Sequence, residues 1–251
     1  MLPEPIPAAG AILMRDAADA GSPPEILMIE RGASLTFLGG AMVFPGGRVD
    51  PDDHALARIA EDREEAAARI AAIRETIEEV GLAIGLSPSP SPEAIAALRD
   101  GLTRGRGFAT LLDEAGLRIA VKRLTPFTRW CPEYVPVRRF DARFYLAAIP
   151  RDRSEPRIDG GETARAEWMT ARDALDRADR GEMRIIFPTR RTLERLTLYP
   201  DYPAAVADAE AWPVRRITPF WEDRDGERHL CIPDDLGFPV TAEPASRVER
   251  G

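Results

Sequence analysis

Two short pieces of this chain decide its fold: an apolar run with a glycine pair, and an acidic segment that ends in a glycine. They read Val43-Phe44-Pro45-Gly46-Gly47 and Arg74-Glu75-Thr76-Ile77-Glu78-Glu79-Val80-Gly81-Leu82. At the 3.6-residue period of a helix, one face of the second piece and its approach is apolar, with Ile70, Ile73, Ile77 and Val80. The same period places Glu75, Glu78 and Glu79 together on the opposite face. The pattern predicts an amphipathic helix whose polar face is a cluster of carboxylates.

Three carboxylates at this spacing repel one another unless a cation lies between them. Arg74 is one such cation, because it stands four residues before Glu78. A divalent metal ion is another, and carboxylate oxygens suit Mg²⁺ or Mn²⁺. An ordinary solvated helix face is the third interpretation, since a surface charge pattern needs no special role.

The glycine pair favours a site over a plain surface. Pro45-Gly46-Gly47 follows an apolar run, which predicts a strand that ends in a tight turn whose backbone can approach another group closely. A strand, a glycine turn and an acidic helix can together hold a metal–diphosphate complex. Gly81 is typical of the position just after a helix and predicts where this helix ends.

These residues resemble the Nudix box, the signature G-x5-E-x7-R-E-U-x-E-E-x-G-U, in which U is a bulky apolar residue. From Arg74 to Leu82 the match departs only at Thr76. Arg74, however, stands 27 positions after Gly47, against 14 in the signature, which leaves 13 extra residues. Counting forward from Gly47 assigns the first glutamate of the box to Asp53, and counting back from Arg74 assigns it to Ala66. A box split in this way, with the acidic half intact, is similar to the coenzyme A diphosphatase-like branch of the family.

The resemblance implies an α/β fold, a Nudix-type α/β/α sandwich with a mixed β-sheet and helical insertions, formed by residues 1–251 as a single domain. Residues 1–9 are expected to form a loose arm, 51–69 an insertion within the box, and 87–118 a helical insertion that could wall a pocket. The box insertion is helix-prone, with Asp53 as a cap, and could lengthen the box helix at its start. Residues 185–251 form a C-terminal extension that could complete the core, cover a pocket or support a homodimer.

The activity implied by the resemblance is hydrolysis of a diphosphate linkage with the help of Mg²⁺ or Mn²⁺. Glu75, Glu78 and Glu79 would ligate the metal, and Arg74 would orient Glu75 or Glu78. A glutamate would act as general base. Glu79, Glu78 and Glu162 are the candidates. Glu162 stands six residues before Trp168, where many family members have an acid, and for this reason Glu162 is preferred over Glu167.

Substrate contacts are expected from the turn and from arginines. Gly46 and Gly47 would shape the turn against the helix, while Arg31 could meet a phosphate. Arg138 and Arg139 are further candidates, since guanidinium groups bind phosphate in a bidentate manner. Pairing of these arginines with local acids is the alternative.

The predicted partner is a small-molecule nucleotide diphosphate, with coenzyme A or an acyl-CoA as the first candidate. NADH, a nucleotide sugar or a dinucleoside polyphosphate are alternatives within the same chemistry. Two other classes remain: a nucleotide-binding regulator without turnover, and an interaction protein with an acidic helix. Metal-dependent turnover would distinguish a hydrolase from the regulator and from the interaction protein.

Composition and charge restrict the class of ligand and the cellular compartment that we expect. The 251 residues carry a net charge of −8, which argues against nucleic-acid binding because such proteins have a basic surface. Two cysteines are too few for a disulfide framework and suit a reducing cytoplasm. Neither a membrane-spanning run nor a signal-peptide pattern is visible, so we expect a cytoplasmic protein.

Overall fold

The computed structural model describes residues 4–19, 21–33, 38–133, 139–158, 162–224 and 226–248. Its strands are β1 (Ile6–Arg15), β2 (Glu25–Arg31), β3 (Met42–Val43), β4 (Gly46–Arg48), β5 (Leu86–Ser87), β6 (Arg118–Ile119), β7 (Thr125–Trp130), β8 (Phe140–Ala148), β9 (Thr163–Thr170), β10 (Arg216–Ile217), β11 (Phe220–Arg224), β12 (Glu227–Cys231) and β13 (Ala242–Pro244). Its helices are α1 (Pro51–Leu56), α2 (Arg63–Val80), α3 (Pro92–Thr103), α4 (Phe108–Glu114), α5 (Ala171–Asp179), α6 (Phe187–Leu196), α7 (Tyr202–Ala211) and α8 (Ala245–Val248).

A mixed sheet forms the centre of the molecule. Its strands follow the order β10-β7-β8-β1-β2-β3, with β4 paired to β1 and β9 paired to β2. Strand β1 runs parallel to β8 along its whole length and antiparallel to β2 and β4. The end of β1 pairs with β2, as in Met14 opposite Ile26, whereas its start pairs with β4, as in Gly10 opposite Gly46. Strand β1 therefore branches between two partners, and the glycine pair lies at this branch.

Helices cover both faces of this sheet. Alternate residues of β1 and β2 belong to different hydrophobic clusters because successive strand side chains point to opposite faces. Leu13 and Leu27 pack in the cluster that includes α2, α3 and α4, and Ile12 and Met28 pack in the cluster that includes α5, α6 and α7. The predicted α/β/α sandwich with a mixed sheet is confirmed.

The acidic segment forms the helix that its periodicity predicts. Asp62 caps the start of α2, because its carboxylate accepts the backbone N–H of Glu65 at 3.0 Å. Ile73 and Ile77 are fully buried beneath the sheet. Gly81 ends the helix in the left-handed conformation, with φ 62° and ψ 28°, as predicted.

Three local expectations need correction. Residues 6–9 are not a loose arm, since they begin β1 and pair with β8 and β4. The box insertion lengthens α2 only from Arg63 onward; its first part folds as α1 and a 3₁₀ turn at Ala57–Ile59. Asp50, not Asp53, is the residue that precedes and caps α1, while the Asp53 carboxylate accepts the Asp50 backbone N–H at 2.9 Å.

The 87–118 segment and the C-terminal extension pack against opposite faces of the sheet. The 87–118 segment supplies α3 and α4, whose leucines join the core around α2, and Arg99 Nε donates to the Glu78 carbonyl at 2.8 Å. The C-terminal extension supplies α6 and α7 on the other face and a small antiparallel sheet of β11, β12 and β13. Within the described ranges, no helix combines the length and the apolar character that a membrane crossing requires.

Candidate active site

A cavity of about 490 Å³ opens where β4 and α2 face the ends of β2 and β9. The predicted residues that line it are Arg31, Gly46, Gly47, Glu75, Glu79 and Glu162. Aromatic side chains from β7, β8 and the residues before β4 form much of the remaining wall, together with the first turn of α6. Among the described lining residues none comes from the 87–118 segment, so the expectation that this insertion walls the pocket is wrong.

The glycine pair lies in a strand rather than in a tight turn, because both residues pair with β1. The site requires the backbone of these glycines to approach the carboxylates of α2 closely. A Cβ atom on Gly47 would clash with Oε1 of Glu75, and one on Gly46 would lie 2.5 Å from the Ala9 carbonyl oxygen. The Gly46 backbone N–H donates to Oε2 of Glu79 at 2.8 Å. The absence of side chains here lets two carboxylates of α2 rest against the backbone of β4.

Arg74 is held by Asp53 in a buried, bidentate ion pair. Arg74 Nε lies 3.1 Å from Asp53 Oδ1, and Nη2 lies 2.9 Å from Oδ2. Asp53 is fully buried and Arg74 is 6% exposed. Asp53, which forward counting from Gly47 selects, thus binds Arg74, whereas Ala66, which backward counting selects, is a buried core residue of α2.

The other side of the Arg74 guanidinium binds the acidic cluster. Nη1 donates to Glu75 Oε1 at 2.8 Å and to Glu78 Oε2 at 2.9 Å, and Nη2 also donates to the Arg48 carbonyl at 2.9 Å. With the two bonds to Asp53, all five N–H donors of the guanidinium are used. Arg74 thus orients both carboxylates, which is the role the resemblance implies.

The three carboxylates of α2 have raised pKa values, because burial disfavours their ionised forms. Burial raises the pKa of Glu75 to about 7 despite Arg74, and the neighbouring Glu78 charge adds to the rise. Burial and the charge of Glu75 raise the pKa of Glu79 to about 8, although the Gly46 N–H opposes this. Burial also raises the pKa of Glu78. A positive charge placed among them would favour their ionised forms.

The donor set fits a hard divalent cation, since it consists of carboxylate oxygens beside a cavity. As they stand, no three metal-binding side chains of the described residues converge closely enough to hold an ion. Glu75 and Glu78 turn toward Arg74, and Glu79 turns toward Gly46. An ion held by all three glutamates at once would therefore require rotation of their side chains.

Glu162 lies immediately before β9 and lines the cavity, and its backbone carbonyl accepts the Gly32 N–H at 2.8 Å. Glu167 lies further along β9, where Arg177 binds it at 2.7 Å. The position of Glu162 is consistent with the preference for it over Glu167. Arg31 ends β2 and lines the same cavity.

Of the other two arginines predicted to contact the substrate, the structure describes only Arg139. Arg139 is buried and donates to Glu133 at 3.0 Å, and it does not line the cavity, so we assign it no substrate contact. Arg138 lies outside the described residues. Arg129 makes a bidentate pair with Asp141 at 2.7 Å, which matches the alternative of pairing with local acids.

Sequence reasoning missed the apolar half of the cavity. Phe44 and Phe144 meet edge to face at 5.8 Å, and Trp130 lies on the same wall. Ile186 and Thr189 enter from the start of α6. The alternation of apolar residues along β8 could have indicated Phe144, but no local pattern indicates that α6 folds back to this point.

Comparison with known proteins identifies the family. A crystal structure of a NUDIX hydrolase from Alicyclobacillus acidocaldarius superposes with a TM-score of 0.70 at 30% sequence identity, covering 81% of this chain and 96% of that chain. The chain belongs to the Nudix hydrolase family. No protein-family model matches the sequence.

Two further matches are less similar to this chain. The Caenorhabditis elegans protein named "Putative nudix hydrolase 7" is 27% identical over 182 residues, which cover 70% of this chain. The matched region spans 57% of the length of that curated relative. The NUDIX domain of Shewanella oneidensis NrtR, whose structure contains ADP ribose, aligns over 79% of this chain and 91% of that chain, with 12% identity and a TM-score of 0.43.

Proposed function

We propose that this chain is a divalent-metal-dependent hydrolase that cleaves the diphosphate linkage of a nucleoside diphosphate derivative. The observation that carries the proposal is the meeting of partly buried carboxylates of α2, the glycine backbone of β4 and Arg31 at one cavity. Carboxylates supply metal ligands, and an arginine at the same cavity supplies a phosphate partner. Mg²⁺ or Mn²⁺ is the proposed metal.

Each residue has a distinct proposed role. Glu75, Glu78 and Glu79 would hold the metal, directly or through water. A bound divalent cation would neutralise phosphate oxygens and assist the attack of water on phosphorus. Arg74 would position Glu75 and Glu78 and would not touch the substrate, because its donors are already used.

The general base must lie within reach of the attacking water, so it should line the cavity. Glu79 and Glu162 line the cavity, and Glu78 does not. We favour Glu162 as the base because Glu79 is hydrogen bonded to Gly46 and belongs to the metal set. A Glu162→Gln variant that keeps wild-type metal affinity and loses turnover would support this division of roles.

The finer substrate proposal rests on the split box. Because an insertion inside the box is similar to the coenzyme A diphosphatase-like branch, coenzyme A or an acyl-CoA is the first substrate to test. NADH, nucleotide sugars and dinucleoside polyphosphates share the diphosphate and are the next candidates.

The test of the metal assignment replaces Glu78 and Glu79 separately with glutamine, which removes charge and keeps shape. We expect kcat to fall about 100-fold or more in each variant, as happens when an electrostatic group acting on the transition state is lost. Glu64→Gln is the matched control, because Glu64 is an exposed residue of the same helix. Near-wild-type turnover in both active-site variants would refute the metal-ligand assignment.

A further inference from the structure

Among the described residues of the 87–118 segment none lines the cavity, yet this segment binds the acidic helix from outside the cavity. Arg99 of α3 extends to the end of α2, where its Nε donates to the Glu78 backbone carbonyl at 2.8 Å. Glu78 stands three residues before Gly81, the residue that ends α2. The bond therefore lies in the turn that carries Glu78 and Glu79, and it is made to the backbone rather than to a carboxylate.

The last backbone carbonyls of α2 are bound by groups from other parts of the chain. Such carbonyls have no N–H partner further along the same helix, so another donor must satisfy them. The Arg157 backbone N–H donates to the Val80 carbonyl at 2.8 Å. The Arg99 side chain supplies the donor for Glu78. Two segments that are distant in sequence therefore hold the last turn of α2, one through its backbone and the other through a side chain.

The charge of Arg99 also suits the end of α2. The helix dipole places partial negative charge at the C-terminal end of a helix, where a cation is stabilising and an acid is not. Helix α2 has no basic residue in its own last turn, although Glu78 and Glu79 lie there. Arg99 therefore supplies, from another helix, the positive charge that this acidic turn lacks.

Helix α3 holds Arg99 on a rigid support. Ser91 caps the start of α3 by accepting the Ala94 N–H at 3.2 Å. Leu98 and Leu102, which flank Arg99 on the same helix, are buried in the hydrophobic cluster that includes α2. Because α3 is packed against α2 in this way, the bond from Arg99 fixes the last turn of α2 to the core of the molecule.

The bond to α2 accounts for the position of the Arg99 guanidinium. Within the described ranges, the Glu78 carbonyl is its only hydrogen-bond partner, and its Nη2 atom is buried without one. A buried donor without a partner costs free energy. Arg74 differs, because all of its donors are used. Arg99 is therefore poorly placed for its own hydrogen bonding and well placed to hold α2.

We propose that Arg99 is a positioning residue of the acidic cluster, an inference that rests on the proposed function. Arg99 fixes the last turn of α2, and this turn sets where the Glu79 carboxylate accepts the Gly46 N–H. The same turn sets where Glu78 accepts from Arg74. If the turn were loose, metal binding would first have to order it again, which costs affinity. Arg99 thus acts on the metal site through the helix and does not touch the substrate.

The test measures hydrogen exchange of the Gly46 amide by NMR in EDTA. The Glu79 carboxylate accepts this N–H, so its exchange rate reports the position of Glu79 without any metal. Arg99→Met removes the charge and the donors and keeps an unbranched side chain. We expect this variant to exchange Gly46 roughly 3- to 10-fold faster, the equivalent of one hydrogen bond. Arg99→Lys keeps the charge and a donor and should restore a rate near that of the wild-type protein.

Arg123→Met is the matched control. Arg123 donates to the Leu86 carbonyl of β5 at 2.9 Å, so this variant loses the same kind of bond away from the last turn of α2. It should leave Gly46 exchange unchanged. The second readout is Mn²⁺ affinity by calorimetry, which should fall roughly 3- to 10-fold in Arg99→Met alone. Loss of a positive charge by itself would strengthen cation binding, so a fall in affinity identifies the loss of position.

Unchanged Gly46 exchange in Arg99→Met would overturn the inference, and so would equal acceleration in Arg123→Met. Equal or tighter Mn²⁺ binding by Arg99→Met than by the wild-type protein would also overturn it. The proposed hydrolase activity is judged separately, from Mn²⁺ binding and product formation by the wild-type protein. Faster Gly46 exchange in Arg99→Met, with neither Mn²⁺ binding nor hydrolysis by the wild type, would remove the hydrolase and keep the hold of Arg99 on α2. Hydrolysis by the wild type with unchanged exchange in Arg99→Met would do the reverse.

Discussion

Replacing Asp53 with asparagine tests the ion pair on which the acidic cluster depends. The change keeps the shape of the side chain but removes the negative charge from a fully buried carboxylate that binds Arg74 through two bonds of 3.1 and 2.9 Å. Removing one partner of a buried ion pair costs about 3–5 kcal/mol. Arg74 retains Glu75 and Glu78, and asparagine retains one acceptor oxygen, so we expect a loss of about 3 kcal/mol.

The assay is urea denaturation with EDTA, because a metal ion bound only by the folded state would add stability of its own. Asp52→Asn is the matched control, since Asp52 lies beside Asp53 in the same turn and is exposed. We expect this control to change the free energy of unfolding by less than about 0.5 kcal/mol. A loss below about 1 kcal/mol for Asp53→Asn would contradict the assignment of Asp53 as the anchor of Arg74.

Three further substitutions test the glycine pair, a partly buried acid of α6 and the ion pairs that hold α6. Gly47→Ala should displace the Glu75 carboxylate, because the new Cβ would clash with it, and should cost about 1–3 kcal/mol of stability. Metal affinity measured by calorimetry should fall, and an unchanged metal affinity would contradict this expectation. Burial raises the pKa of Glu194 to about 7, so the folded state binds more protons than the unfolded state between about pH 4.5 and 7, and stability falls as the pH rises through that range. Glu194→Gln should therefore remove about 1 kcal/mol of the stability difference between pH 5 and pH 8 in urea denaturation, and an unchanged difference would refute this. Glu243 lies 3.7 Å from Arg190 and 3.4 Å from Arg191 of α6, whose first turn lines the cavity, so Glu243→Gln should loosen α6 and raise KM about 2- to 5-fold with little change in kcat. A fall in kcat alone would refute this.

The acidic helix could be predicted from sequence because its signals are local. The spacing of Ile70, Ile73, Ile77 and Val80 sets one buried face, and Gly81 sets the end. Each of these residues acts within a few positions of its neighbours, so the helical period alone places the three glutamates together. The close approach of the glycine pair was predictable for the same reason, since only glycine permits it.

Features that depend on tertiary contacts could not be read in this way. Gly46 and Gly47 form a strand rather than a turn because β1 offers them a partner, which outweighs the low strand propensity of glycine. The extra residues in the box allowed two alignments, and only the way α1 folds back onto α2 selects Asp53 over Ala66. Thr189 has no local signal, because it reaches the cavity through the packing of α6 against distant elements.

We propose that the acidic end of this cavity hydrolyses a diphosphate with the help of a divalent cation. The most direct measurement incubates the protein with coenzyme A and other diphosphate compounds, with Mg²⁺ or Mn²⁺ and then with EDTA, and identifies the products by mass. We expect metal-dependent cleavage at the diphosphate, which for coenzyme A gives 3′,5′-ADP and 4′-phosphopantetheine. No cleavage of any compound with either metal, alongside clear nucleotide binding, would contradict the claim and favour a regulator that binds nucleotides without turnover.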